Sequence, residues 1–298
     1  MRTIATGGVE APQAVAVVGL GLIGASLCRA LREKLPDMGI VGVTRRVETA
    51  DRAMSDGICD LAGTTSDLLR HADLAVLCTP VDAMPHWLDQ AAKYPGLLVT
   101  DTGSTKQWVV EQAARRLQAG HFLGGHPMAG REQSGYDAAE AGLFEGCTWV
   151  LTPTSPSQQE DFAPWVGAVR ALGAHVEVMD AADHDSTVAW ISHLPFALSA
   201  ALVRAAAAAP EWTAAQQLAA GGFRDMARLA GGDAEMYSAI VETNPAAMLK
   251  ALNALVKELE LLARTLRRPE TAEAYFATAR ELRAAWLTER AEQGRPVR

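Results

Sequence analysis

The chain is poor in cysteine, in net positive charge and in long uncharged apolar runs. Among 298 residues there are four cysteines, Cys28, Cys59, Cys78 and Cys147, widely spaced and with no CxxC pair. That spacing argues against a disulfide framework or a zinc site, so the four read as thiols of a reducing compartment and no metal is expected. Lys and Arg number 27 against 35 Asp and Glu, a formal net charge of −8. A partner of nucleic acid carries the opposite balance, so none is expected here. The stretch from Ala14 to Leu27 is largely apolar, but the residues before it hold Glu10 and a single basic residue, Arg2. It therefore reads as a strand and a glycine turn, not as a secretion signal. No other run is expected to reach membrane-spanning length without a charge, since Arg204 interrupts the alanine-rich segment near 200. These absences predict a cytoplasmic protein with no membrane partner. What remains is ordinary: 49% hydrophobic and 21% charged residues, enough for a sizeable core in two domains or one large one.

The first 180 residues alternate short β-rich runs with helical stretches. Candidate strands are Ala14–Val18, 39–44, 73–78, 97–101, 121–123, 148–151 and 174–179, with amphipathic segments such as 23–35 and 106–117 between them. That alternation predicts a mostly parallel, doubly wound sheet. After Asp180 no strand-like run appears, and alanine, leucine and charged residues dominate. The expected fold class is therefore α/β: a Rossmann-like dinucleotide-binding domain over 1–180, then an all-α domain over 181–298. Met248, Leu252, Leu255, Leu259, Leu262 and Leu266 follow 4-3-4-3-4 spacing, a heptad seam that wants a partner helix within the chain or in a second subunit. Pro269 is expected to end that helix.

Gly19-Leu20-Gly21-Leu22-Ile23-Gly24 follows the first strand and opens a helix. In that setting the first glycine permits a tight turn, the second lets backbone approach a pyrophosphate, and the third lets helix and strand pack closely. Free N–H groups of the helix N-terminus would then bind the anion. The second strand ends Val43-Thr44-Arg45-Arg46, with no acid before Glu48. An acid there would bond the ribose 2′-hydroxyl of NAD, whereas Thr44, Arg45 and Arg46 suit the 2′-phosphate of NADP. A solvated arginine pair is the alternative. Thr79 and Pro80, and then Asp101 and Ser104, follow two further strands, where ligands of such sheets bind. Ser104 suits a hydrogen bond to substrate or nicotinamide, and also suits a helix N-cap.

Gly124-Gly125-His126-Pro127-Met128-Ala129-Gly130 sets a histidine in what reads as a stiff, glycine-rich loop downstream of this signature. A histidine beside a nicotinamide can take a hydroxyl proton while the hydride leaves.

Together with Asp101-Thr102-Gly103-Ser104-Thr105-Lys106, Asp183-His184-Asp185, Ser192-His193-Leu194-Pro195 and Gly221-Gly222-Phe223-Arg224-Asp225 with Arg228, these pieces run in order over most of the chain. The chain resembles the prephenate/arogenate dehydrogenase family of tyrosine biosynthesis, most of all its NADP-using, cyanobacterial-type arogenate dehydrogenases. The resemblance implies oxidative decarboxylation of a cyclohexadienyl substrate, arogenate or prephenate, by a homodimer that pairs through its helical domain. It implies His126 as the catalytic group, with Ser104 beside it. Substrate would be bound by His193, by Arg228 on a carboxylate, by Arg131 next to the catalytic loop, and by Tyr237 and Gly221. Met128 would lie on the cofactor side, and NAD is the less favoured cofactor. Asp225, at i−3, suits an orienting partner for Arg228. Many prephenate-acting members read HLPH where this chain has Phe196, which tilts the expectation toward arogenate. With no room in the sequence for a fused mutase or regulatory domain, inhibition by tyrosine is expected to be competitive. The alternatives are a β-hydroxyacid dehydrogenase, which would draw an acid/base lysine from Lys250 or Lys257, and a nucleotide sensor without turnover.

Overall fold

Val15 and Val17 point into one apolar cluster, Ala16 and Val18 into another, and all four are fully buried. A strand covered on both faces is the mark of a sheet with helices on each side. The computed structural model describes residues 11–130, 133–155 and 158–293. Its strands are β1 (Ala14–Val18), β2 (Gly39–Val43), β3 (Leu61–Gly63), β4 (Leu74–Leu77), β5 (Leu98–Asp101), β6 (Phe122–Pro127), β7 (Thr148–Thr152) and β8 (His175–Val178). They form one sheet in the order β3-β2-β1-β4-β5-β6-β7-β8. Every pair is parallel except β6 with β7. The strand order reverses at β1, which pairs with both β2 and β4. The loops after β1 and β4 therefore open a crevice at the carboxyl end of the sheet.

Helices α1 (Leu22–Lys34), α2 (Val47–Ser55), α3 (Met84–Ala91), α4 (Gln107–Ala114), α5 (Gln158–Asp161) and α6 (Ala163–Ala171) connect the strands. Leu27 and Leu31 of α1, with Trp165 and Val169 of α6, cover one face together with Phe144 and Trp149. Met84 and Leu88 of α3, with Val109 and Ala113 of α4, cover the other. Each fully buried side chain of this size contributes about 1.5–3 kcal/mol.

After β8 the chain is helical: α7 (Ala181–Val188), a π-helical turn (Ala189–His193), α8 (Leu194–Ala207), α9 (Trp212–Leu218), α10 (Gly221–Ala227), a 3-10 turn (Arg228–Gly231), α11 (Ala234–Thr243), α12 (Pro245–Thr265) and α13 (Pro269–Glu292). Pro195 explains the π turn: it has no N–H to donate back into the helix, and its ring crowds the carbonyl four residues earlier. The run Ala181–Ala207 is long and apolar enough to cross a membrane by length and composition, against the expectation that no such run exists. It carries His184, Asp185 and His193, however, and all three are buried within the protein. Trp190 and Ile191 of the same run are exposed. The chain divides into two compact units with the boundary after Pro245. In the second unit, Leu252, Leu259 and Leu266 of the heptad seam are exposed, as are Phe276, Leu282 and Trp286. Pro269 begins α13, while α12 already stops at Thr265.

Three expectations from the sequence change. The three-residue strand β3 has too few residues to show a period and went unread. The strand expected at 121–123 runs on to Pro127. His126 therefore lies in a strand, paired with Val150 of β7, and not in an open loop.

Leu31 is fully buried against the sheet. Leu31→Ala should lower the free energy of unfolding by about 2–5 kcal/mol, read as an earlier midpoint in urea denaturation followed by circular dichroism.

Candidate active site

The turn after β1 is shaped by close approaches. Gly19 has φ +96°, and a Cβ there would lie 2.7 Å from the Cys78 carbonyl oxygen and 3.2 Å from Thr79 Cγ2. A Cβ on Gly24 would run into the Gly19 carbonyl, whereas one on Gly21 would meet open space. Gly21 is also the N-cap of α1, whose first turn has no side-chain cap and no acid. The early N–H groups around Leu22 and Ile23 are thus available to an anion. Leu20 is buried at the base of the turn. Thr79 Oγ1 is buried beside this turn with no hydrogen-bond partner among the described residues, and Pro80 is exposed next to it. An orphaned hydroxyl next to an unfilled backbone cradle fits a dinucleotide lying across the turn. Thr44 is half-buried at the end of β2, its N–H bonded to the Gly63 carbonyl at 3.0 Å, and Arg45 and Arg46 are exposed.

The next layer is a buried polar cluster. Asp101 is fully buried and salt-bridged to the fully buried Lys106. Its oxygens also accept the Gly103 N–H at 2.8 Å and the Gly125 N–H at 2.9 Å. The cofactor-side expectation for Asp101 meets a carboxylate already engaged by protein donors, which clamp the β5 end to β6. Gly125 is needed for that clamp, since a Cβ there would stand 2.6 Å from the Asp101 carbonyl oxygen. Burial lowers the pKa of Lys106, and Asp101 opposes that fall.

His126 is buried, with its Nδ1 2.8 Å from His184 Nε2 and the two rings edge to face at 5.1 Å. His184 Nδ1 in turn lies 2.8 Å from Asp185 Oδ1. Asp185 also accepts the backbone N–H groups of Lys106 at 2.7 Å and Gln107 at 2.9 Å. It is thus Asp185, far downstream, that caps α4, and the N-cap reading of Ser104 is corrected. Ser104 is half-buried, with its backbone close enough to act on the His193 ring. Burial, then the nearby His184, Lys106 and His193, hold the His126 imidazolium well below its ordinary pKa of 6.5. A neutral imidazole in this position can accept a proton. Among the described residues, its Nε2 has no hydrogen-bond partner.

His193 is buried, and its Nδ1 lies 3.4 Å from Asn244 Nδ2. Asn244 also donates to the Asp185 carbonyl at 2.9 Å. Burial lowers the His193 pKa to about 4, and its Nε2 is buried without a partner among the described residues. The His193 ring neighbours Phe196 at 6.1 Å, and Phe196 stacks on Tyr237 at 4.0 Å. The Tyr237 hydroxyl donates to the Leu229 carbonyl at 2.8 Å. Arg228 is exposed one residue before, at the start of the 3-10 turn, close enough for its charge to act on Tyr237. Ser199 anchors that turn by accepting the Ala230 N–H at 2.9 Å. Asp225 pairs with its neighbour Arg224 at 3.6 Å, and both side chains are exposed. Gly221 opens α10 half-buried, and Met128 is half-buried with its N–H on the Thr148 carbonyl at 2.7 Å. Arg131 lies outside the described residues.

The structure thus brings His126, Ser104 and His193 into one cluster and extends it through Phe196 to Tyr237 and Arg228. It adds His184, Asp185, Lys106 and Asn244, to which sequence reasoning attached no role. The adjacent His184-Asp185 pair was the available signal. Neighbours in sequence on a helix seldom face one another, so adjacency alone did not suggest a shared hydrogen bond.

A glycine-cradled crevice at the strand switch point, with a neutral buried histidine nearby, defines a dinucleotide-dependent dehydrogenase. Two family models cover the chain: prephenate dehydrogenase, nucleotide-binding domain, over residues 27–178, and prephenate dehydrogenase, dimerization domain, over 180–281. The prephenate dehydrogenase of Lactococcus lactis is 34% identical over 280 residues, spanning 91% of this chain and 77% of its own. The cyclohexadienyl dehydrogenase of Zymomonas mobilis is 31% identical, over 83% of this chain and 86% of its own. Among solved structures, the Synechocystis arogenate dehydrogenase is 36% identical with a TM-score of 0.77, over 92% of this chain and all of the other. Aquifex aeolicus prephenate dehydrogenase, in complex with hydroxyphenyl propionate and NAD+, is 29% identical with a TM-score of 0.83, over 92% and 98%. The chain belongs to the prephenate dehydrogenase family and is an oxidoreductase of tyrosine biosynthesis.

Proposed function

We propose that the chain oxidatively decarboxylates arogenate to tyrosine with NADP. The observation that carries the chemistry is the buried, neutral His126, with one ring nitrogen held by His184 and, among the described residues, no bond to the other. When bound, the nicotinamide accepts the hydride from the hydroxyl-bearing ring carbon. His126 takes the hydroxyl proton, and Ser104 stands ready to bond the same oxygen. Arg228 offers a bidentate partner to a carboxylate, and His193 lines the pocket with an unpaired Nε2. The ring becomes aromatic as carbon dioxide leaves, so the protein has mainly to orient the ring and remove one proton.

The preference for arogenate is supported by Phe196 at the position of a second histidine and by the 36% identity to the Synechocystis arogenate dehydrogenase. Prephenate is the second reading, favoured by the names of the Lactococcus lactis and Bacillus subtilis relatives. NADP is supported by the exposed Arg45 and Arg46 at the end of β2, with Glu48 drawn away into the first turn of α2. The exposed leucines of α12 and the match to a dimerization-domain model support a homodimer. A cytoplasmic location suits a soluble biosynthetic enzyme of this kind.

Following absorbance at 340 nm with arogenate and prephenate against NADP and NAD tests this directly. The highest kcat/KM is expected for arogenate with NADP, and a higher value for prephenate or NAD overturns the corresponding half. Replacing Arg45 and Arg46 together by Ala should raise KM for NADP roughly ten- to a hundredfold, about 1.5–3 kcal/mol, while sparing NAD.

His126→Asn should lower kcat roughly 10²–10⁴-fold with dinucleotide affinity retained. The base works in its neutral form, which persists as pH falls through 6.5 because the folded-state pKa lies well below that value. The acidic limb of kcat/KM is therefore expected below pH 6.5. A limb centred at or above 6.5 would exclude His126 as the titrating base.

A further inference from the structure

Asp185 sits at the N-terminus of α4, and both of its oxygens accept backbone N–H groups that can only donate. The positive end of a helix dipole favours negative charge there. A carboxylate in that place has only acceptors to offer His184, so His184 Nδ1, at 2.8 Å, carries a hydrogen. In a neutral imidazole the other nitrogen is then an acceptor. That nitrogen, Nε2, faces His126 Nδ1 at 2.8 Å, so with both rings neutral His126 Nδ1 is the donor. A neutral His126 with its hydrogen on Nδ1 has a bare lone pair on Nε2.

We infer that His184 and Asp185 are positioning residues that hold His126 in the tautomer whose Nε2 is a proton acceptor. The role rests on the reading of His126 as the base and specifies how that base is kept ready. Left alone, an imidazole can place its hydrogen on either nitrogen. With the hydrogen on Nε2, His126 would present a donor to the substrate hydroxyl and could not remove its proton. Once His126 has taken that proton, the relay also steadies it: His126 Nδ1–H still donates to His184, and Asp185 places a negative charge beyond. His184 and Asp185 are buried, so water does not compete for these bonds.

The test combines kinetics with a direct reading of the tautomer. Nitrogen-15 histidine NMR on the whole enzyme, with His126 assigned by difference from His126→Asn, should find the hydrogen of His126 on Nδ1. His184→Leu removes the acceptor and should shift His126 toward the Nε2–H form. In the same variant kcat should fall roughly ten- to a hundredfold or more, with substrate KM and dinucleotide Kd little changed, as when the tautomer of a catalytic histidine is lost. His184→Gln, whose carbonyl can accept from His126 Nδ1, should recover most of the rate. An Nε2–H tautomer in the unmodified enzyme overturns the proposal, and so does an unchanged kcat in His184→Leu. If His184→Leu does not fold, the tautomer of the unmodified enzyme and the rate of His184→Gln still decide it. Normal turnover by His126→Asn would refute the base itself, and the spectra would still report whether the relay sets the tautomer.

Discussion

The carboxylate of Asp185 against the amides of Lys106 and Gln107, where α4 begins, is the contact on which the site depends. It joins the helical segment after β8 to the sheet, because α4 follows β5 directly and α7 carries Asp185. The same residue holds His184 through its side chain and Asn244 through its backbone carbonyl. His126, His193 and the end of α11 are thereby referred to one buried charge. A surface ion pair could not do this, since solvent and salt would compete for it. Here the donors are backbone groups in fixed places.

A second buried charge works in parallel. The Asp101–Lys106 pair seals the strand ends and places a cation near His126. Taking two ions out of water is costly, and such pairs seldom add much net stability. Their value in this protein lies in position and field. Asp101 holds the Gly125 amide, and Lys106 helps keep the neighbouring imidazole neutral. The two glycines before His126 belong to the same design. They let β6 approach Asp101 and Thr152 more closely than any side chain would allow.

Much of this was legible in the residues. The fingerprint Gly19 to Gly24 lies where a strand-turn-helix was expected, and its glycines answer to close approaches at Cys78 and at Gly19 itself. Seven of the eight strands and the change to all-helix after Asp180 follow from apolar periodicity. The three-residue β3 is too short to show one. His126 was legible as chemistry but not as structure: two glycines and a proline look like a loop until β7 is seen pairing with them. Ser104 looked like a cap because the residue that does cap α4 is distant in sequence. The stack of Phe196 on Tyr237 likewise joins two helices that no local pattern connects.

The sequence by itself determined the class of fold, the dinucleotide crevice and the family, and singled out His126 as a candidate, because each depends on local pattern: period, turn geometry and a short motif. Only the tertiary structure decided which partners each polar group has. Asp101 turned inward to Lys106 and Gly125, and His184 with Asp185 closed on His126 and α4. A buried hydrogen bond is short and directional. Its partners are chosen by folding elements far apart in the chain against one another, and spacing along the sequence carries no record of that choice.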